Sequence, residues 1–154
     1  MTLDQLKKAV MVWRLKNDNI VFTNGCFDIL HLGHVDYLSK AKDLGGRLIV
    51  GVNTDSSVKR LGKGDTRPIN NEMSRSMLIA SLQFVDAVIV FDEDTPFELI
   101  KALEPDVLVK GADYSIDKVV GADIVQSKGG KVELIEFLEG YSTTAIEKKI
   151  RGEK

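Results

Sequence analysis

The chain has one cysteine, Cys26, in 154 residues, so no internal disulfide can form and a disulfide-stapled scaffold is excluded. Its charge is nearly balanced. The 21 basic and 23 acidic side chains leave a net charge of −2, without the basic excess that a nucleic-acid-binding face requires. Apolar runs are short, Ala87-Val-Ile-Val-Phe91 being typical, and none approaches the ~18 residues of a membrane span. The N-terminus Met-Thr-Leu-Asp-Gln lacks the basic-then-apolar order of a signal peptide. A cytoplasmic protein that binds neither nucleic acid nor membrane is therefore expected. Two phosphate motifs are also missing: Gly62-Lys-Gly-Asp-Thr66 is no Walker A loop, and no G-x-G-x-x-G follows a strand.

What is present is 44% hydrophobic residues, a length suited to one domain, and a repeating order of helix and buried strand. Leu3, Leu6, Val10 and Trp13 share one face of a helix over 3–14, and Ile20-Val-Phe22 follows as a strand. The alternation continues with a helix from Gly33 to Lys42, a strand Leu48 to Val52, a helix over 72–83 and a strand Val85 to Phe91. Thr95-Pro96-x-Glu98 reads as cap, first-turn proline and capping glutamate of a helix ending near Leu103. A strand Val107 to Val109, a helix over 116–127, a fifth strand Val132 to Phe137 and a helix capped at Ser142 and running to Ile150 complete the order. The pattern predicts a single α/β domain over 1–154, Rossmann-like and doubly wound on a five-stranded parallel sheet. Residues 1–17 form its N-terminal helix and 18–154 its core. The polar stretch Asn53 to Asn71 reads as a long functional loop.

Ligands of open parallel sheets bind beyond the carboxyl ends of strands. After the first strand comes Thr23-Asn-Gly-Cys-Phe-Asp-Ile-Leu-His-Leu-Gly-His34, which holds both histidines of the chain. Three residues apart at a helix start, His31 and His34 are expected on one helix face. Gly25 and Gly33 would let a phosphate approach the helix end, where exposed amides favour anions. A metal pair is the alternative, but no third histidine or second cysteine completes a tetrahedral site. Cys26 has no base implied by its spacing and reads as a small packing residue.

Gly25-x-Phe-Asp-x-x-His-x-Gly-His34 and Glu139-Gly-Tyr-Ser-Thr-Thr144 resemble the two phosphate-binding elements of the cytidylyltransferase-like nucleotidyltransferases. From Thr23 to Lys149 the chain is similar, more narrowly, to the adenylyltransferase half of the bifunctional heptose kinase/adenylyltransferases that make ADP-heptose for lipopolysaccharide. The stretches that carry this likeness include Lys59-Arg-Leu61, Arg67-Pro68, Asp92-Glu-Asp-Thr-Pro96 and Leu108-Val-Lys-Gly111 with Asp113-Tyr114. Phe137 stands where related cytidylyltransferases carry an arginine, which weakens an alcohol-phosphate cytidylyltransferase assignment.

The resemblance implies that ATP gives its adenylyl group to D-glycero-β-D-manno-heptose 1-phosphate with loss of pyrophosphate. The attacking phosphate oxygen is already ionised, so alignment and charge neutralisation are the whole task. It assigns His31, His34, Lys63 and Arg75 to catalysis. Thr23, Asn24, Gly25, Cys26, Phe27, Gly33, Lys110, Gly111, Asp113, Ser142, Thr143 and Thr144 go to the nucleotide, and Asp28, Asn53, Lys59 and Arg67 to the sugar phosphate. Mg2+ is expected with ATP, without identifiable protein ligands. A homodimer is implied too, with the helix 3–14 face and the fifth-strand region as candidate contacts. The rivals are a cytidylyltransferase acting on glycerol 3-phosphate or a similar alcohol phosphate, an ATP-dependent relative acting on FMN or phosphopantetheine, a nucleotide-binding module without turnover, and a divalent-metal protein.

Overall fold

The computed structural model describes residues 1–62, 64 and 66–153. Five parallel strands, β1 (Ile20–Gly25), β2 (Arg47–Asn53), β3 (Ala87–Phe91), β4 (Val107–Gly111) and β5 (Lys131–Ile135), lie in the order β3-β2-β1-β4-β5. This is the expected Rossmann-like sheet. Alternation along the strands sends side chains to two cores. Ile20 and Phe22 face a cluster with Leu6, Val10, Ile100 and Leu103, whereas Val21 faces Leu38, Val50 and Ile79. Helices α1 (Leu3–Leu15), α5 (Phe97–Leu103) and α6 (Ala122–Ser127) cover the first face, and α2 (Leu32–Lys42) and α4 (Glu72–Ala80) the second. The remaining helices are α3 (Asp55–Arg60) and α7 (Thr143–Arg151). No helix among the described residues is long and apolar enough to cross a membrane.

The chain builds outward from β1 through β2 to β3, then returns to the other side of β1 with β4. That reversal creates a crevice at the carboxyl ends of β1 and β4. Backbone pairing between these strands covers Val21 with Val107 and Phe22 with Leu108. One residue further on, the Thr23 hydroxyl donates to the Val109 carbonyl at 3.0 Å. A side chain thus bridges the strands where the ladder stops, and the cleft opens beyond it.

Several boundaries differ from the sequence pattern for identifiable reasons. The polar stretch after β2 contains α3, because Thr54 caps it by accepting from the Ser57 amide at 3.0 Å. Pro96 itself, rather than Thr95, is the N-cap of α5, with no side-chain cap. The helix expected over 116–127 is divided into a short 3-10 turn at Ile116–Lys118 and α6, because Gly121 between them has φ +84°. A Cβ there would also meet Ile100 at 2.7 Å. The helix expected to reach 83 stops at Ala80, β3 starts two residues later than Val85, and β5 ends at Ile135, leaving Phe137 outside the sheet. The face of α1 proposed as a dimer contact is turned inward, since Leu6 and Val10 are buried in the core. Met11, Val12 and Leu15 are its exposed apolar side chains.

Candidate active site

A cavity of about 710 Å³ occupies the crevice, walled by the exits of β1, β2 and β4 and by the start of α7. Its histidine wall is built by local conformation. Phe27 adopts a left-handed backbone with φ +49°, and Gly25 leaves its ring room, since a Cβ there would come within 3.0 Å of it. The Phe27 ring meets His34 edge-on at 5.3 Å, and His34 stacks on His31 with centroids 3.8 Å apart. His31 is not on the helix face expected from the spacing. It is the extended N-cap of α2, with φ −140° and ψ 169°, and so folds back over His34. It forms no side-chain cap, which leaves the first amides of α2 available to an anion. Burial lowers the pKa of His31, favouring the neutral ring. Gly33 serves this packing: a Cβ there would lie 3.0 Å from the His31 ring and 3.1 Å from Tyr141 Cβ. The missing side chain thus leaves room for the His31 imidazole.

The facing wall comes from β4, the segment after β5 and the start of α7. Lys110 donates to Asn24 Oδ1 at 2.8 Å, and its ammonium lies 5.5 Å from the centre of the Tyr114 ring. Phe137 stacks on Tyr37 at 5.6 Å and lies over Gly111, where a Cβ would come within 2.2 Å of the ring. Gly111 is therefore a close-approach glycine rather than an ordinary turn residue. Asp113, Thr143 and Thr144 also line the cavity. Ser142 caps α7, its hydroxyl accepting from the Ala145 amide at 3.0 Å.

Thr23 is fully buried behind this wall, with its hydroxyl 2.8 Å from the Tyr37 hydroxyl, so it shapes the site without lining it. Burial pushes the Tyr37 phenol up to about 12, with the Asp113 charge adding and the Thr23 hydrogen bond opposing. The unfolded phenol ionises near pH 10, so Tyr37's contribution to stability is complete below that pH. It is lost as the pH rises through the folded value, by about 2–3 kcal/mol when complete. Tyr37→Phe is expected to remove this alkaline component, leaving a pH-independent offset from the lost hydroxyl. Urea midpoints at pH 9 and pH 11 check it: an unaltered pH dependence in the variant would show that another group is responsible.

The expected cations are distributed differently. Arg75 is fully buried and absent from the cavity wall. Its guanidinium donates to the carbonyls of Asn70 at 2.9 Å, Cys26 at 2.6 Å and Asn53 at 2.7 Å, and to Asp55 Oδ1 at 2.8 Å. In this position it is a strut joining the exits of β1 and β2 to α4. Arg67 does line the cavity, paired with Asp28 at 3.2 Å and Glu147 at 2.5 Å. Asn53 lines it too, with its amide donating to Ser57 Oγ at 2.9 Å. Lys59 is exposed on α3 and outside the cavity wall, and Arg60 pairs with Asp92 and Asp94. Lys63 lies outside the described residues. Cys26 is buried at the cavity edge, 4.0 Å from Asn53 Oδ1. Asp28 accepts the amides of Ile69 and Asn70 as well as Arg67. Among the described residues, no three His, Cys, Asp or Glu side chains gather as a metal site.

Tyr37 and Glu147 escaped the sequence reading. Tyr37 follows His34 by three residues, the spacing that places neighbours on one helix face, and this was its available signal. Glu147 had none, because its partner is eighty residues away.

Sheet order and a cleft at the strand reversal define a Rossmann-like α/β protein. The chain belongs to the cytidylyltransferase-like family, which residues 22–150 match. It is 58% identical over 149 residues to the Bifunctional protein HldE of Wolinella succinogenes, covering 97% of this chain and 30% of that protein. With the Bifunctional protein HldE of Nitratiruptor it shares 62% identity over 137 residues, 89% of this chain and 29% of the other. The chain thus spans just under a third of the length of these curated relatives. Among solved structures, it resembles the lipopolysaccharide core biosynthesis protein from Thermoplasma volcanium GSS1. That likeness has a TM-score of 0.63 and 34% identity, over 81% of this chain and 99% of that one. The pantoate-beta-alanine ligase from Francisella tularensis, complexed with beta-gamma ATP and beta-alanine, shares the fold. Its TM-score is 0.64 at 16% identity, over 97% of this chain and 75% of that one.

Proposed function

We propose that the chain is an adenylyltransferase that moves AMP from ATP to D-glycero-β-D-manno-heptose 1-phosphate, giving ADP-heptose and pyrophosphate for lipopolysaccharide or surface-glycan precursors. The observation that carries this is His34, stacked on His31 at the start of α2 and lining the same cavity as the threonines that start α7. Identity to the HldE proteins over nearly the whole chain supports the choice of substrate.

On this reading an ionised oxygen of the sugar phosphate attacks the α-phosphorus of ATP. A new P–O bond forms as the bond to the β-phosphate oxygen breaks, and pyrophosphate carries away the electron pair. No general base is needed, because the attacking oxygen carries no proton at neutral pH. His34 donates to the charge that develops at the α-phosphorus, and neutral His31, stacked against it, holds its ring in place and donates to the same phosphates. Amides and hydroxyls at Ser142, Thr143 and Thr144 bind the phosphate chain from the other side. Lys110, Gly111 and Asp113 frame the nucleobase together with Asn24, while Arg67, Asp28 and Asn53 face the sugar phosphate. Lys59 is assigned to the sugar phosphate, and Lys63 to catalysis as a cation for the triphosphate. Magnesium would accompany ATP, held mainly by the nucleotide's phosphate oxygens and water, and would supply charge neutralisation there.

The proposal includes a cytoplasmic homodimer, checked by light scattering. The decisive assay measures pyrophosphate release from ATP or CTP with heptose 1-phosphate, glycerol 3-phosphate, FMN and phosphopantetheine as acceptors or substrates. Release with ATP and heptose 1-phosphate alone is expected. Release only with CTP and an alcohol phosphate would refute the substrate assignment, and nucleotide binding without any product would refute turnover.

A further inference from the structure

The pocket proposed to receive two phosphate-bearing anions contains an excess of negative charge around Arg67. Arg67, 12% exposed, is held between Asp28, 4% exposed, and Glu147, 17% exposed. One guanidinium therefore serves two carboxylates, and the trio carries a net −1 before any substrate arrives.

The two carboxylates do different work. Asp28 anchors the loop that carries Arg67: its oxygens accept the Ile69 amide at 2.9 Å and the Asn70 amide at 2.8 Å, and its own carbonyl accepts from Asn70 Nδ2 at 2.6 Å. It also takes Arg67 Nη1 at 3.2 Å. The loop and one side of the guanidinium are thus fixed without Glu147. Among the described residues, Glu147 takes only Arg67 Nη2, from α7, a helix in which no residue is fully buried. It lies four residues after Thr143, one helical turn along the same face, and Thr143 and Arg67 both line the cavity. A phosphate seated at the start of α7 therefore lies about one turn from the carboxylate that occupies Arg67. Carboxylate and phosphate oxygens fit the guanidinium fork in the same way.

We propose that Glu147 is a stand-in anion. Its carboxylate occupies, on Arg67, the place that a substrate phosphate takes on binding, and the incoming phosphate displaces it. Arg67 thereby stays oriented and paired in the empty site. The closed and open forms of the pair differ by a swing of the Glu147 side chain, since Asp28 continues to hold the loop. The identification of the substrates rests on the proposed function, but the exchange of a carboxylate for a phosphate does not.

The test compares the unchanged chain with E147Q, which keeps the shape and removes the charge. Calorimetric titration with inorganic phosphate reads the exchange directly. Initial rates with ATP and heptose 1-phosphate show which substrate is responsible. E147Q is expected to bind inorganic phosphate about tenfold more tightly, as removal of a competing like charge implies. It should lower KM for one substrate, moving the other less than twofold, and the substrate whose KM falls is the one whose phosphate replaces Glu147. Both gains should vanish when R67Q is added. Equal or weaker phosphate binding by E147Q, or a gain that survives R67Q, would overturn the proposal and make Glu147 a tether for α7. E147A gives the same reading should E147Q fold poorly. If the unchanged chain turns over no heptose 1-phosphate, the proposed function fails while the phosphate titration still decides this inference.

Discussion

Replacing His34 by alanine is expected to lower kcat by about 10²–10³, the usual effect of removing one preorganised donor from a transition-state site. The ring is held between two aromatic neighbours, His31 stacked at 3.8 Å and Phe27 edge-on at 5.3 Å, so it needs little reorganisation as charge develops. Substrate affinity should change less than the rate, because a donor matched to the transition state contributes little to the ground-state complex. His31→Ala should reduce kcat less directly, by freeing the His34 ring. Steady-state kinetics with ATP and heptose 1-phosphate provide the measurement, and circular dichroism establishes that the fold persists. A His34→Ala enzyme with an unchanged kcat would remove the central role given to this ring.

The other large effect concerns stability. Arg75→Met should destabilise the protein by about 3–5 kcal/mol, since it removes the partner of half-buried Asp55 and strips donors from three carbonyls, two of them in buried contacts. Those carbonyls belong to Cys26, Asn53 and Asn70, so the loss falls on the segments that carry the cavity wall. For a chain of this length the melting temperature should drop by roughly 10 °C. Arg75→Lys should lie between, retaining the charge but unable to reach four acceptors from one rigid plane. Thermal and urea denaturation read the effect. Native-like stability combined with lost turnover would reverse the assignment and return Arg75 to the reacting groups.

Arg75 also shows where sequence reading stops. The resemblance implies a cation near the triphosphate here, and the structure places Arg75 beside the segments that wall the cavity. Whether a guanidinium faces ligand or backbone depends on which carbonyls converge on it from distant segments, and no spacing rule encodes that. The strands were legible because their apolar runs are buried on both faces, and the cleft was legible because a parallel sheet binds at its carboxyl edge. His31 and His34 were legible as a pair but not as a stack. The helix begins at Leu32, one residue too late for both rings to share its face, and Gly33, where a Cβ would come within 3.0 Å of the His31 ring, leaves that ring its place. The 116–127 segment misled for a related reason: its composition suits a helix, while the left-handed backbone at Gly121 divides it. Glu147 depends wholly on tertiary structure, as do the Tyr37–Phe137 stack and its seat on Gly111.

A crystal structure of the chain with a non-hydrolysable ATP analogue tests the account at its centre. The triphosphate should lie between the imidazoles and the start of α7, with phosphate oxygens about 3 Å from His31 or His34 nitrogens and from the amides near Thr143 and Thr144. A triphosphate bound elsewhere, or lying in the cleft without touching either histidine, would refute it.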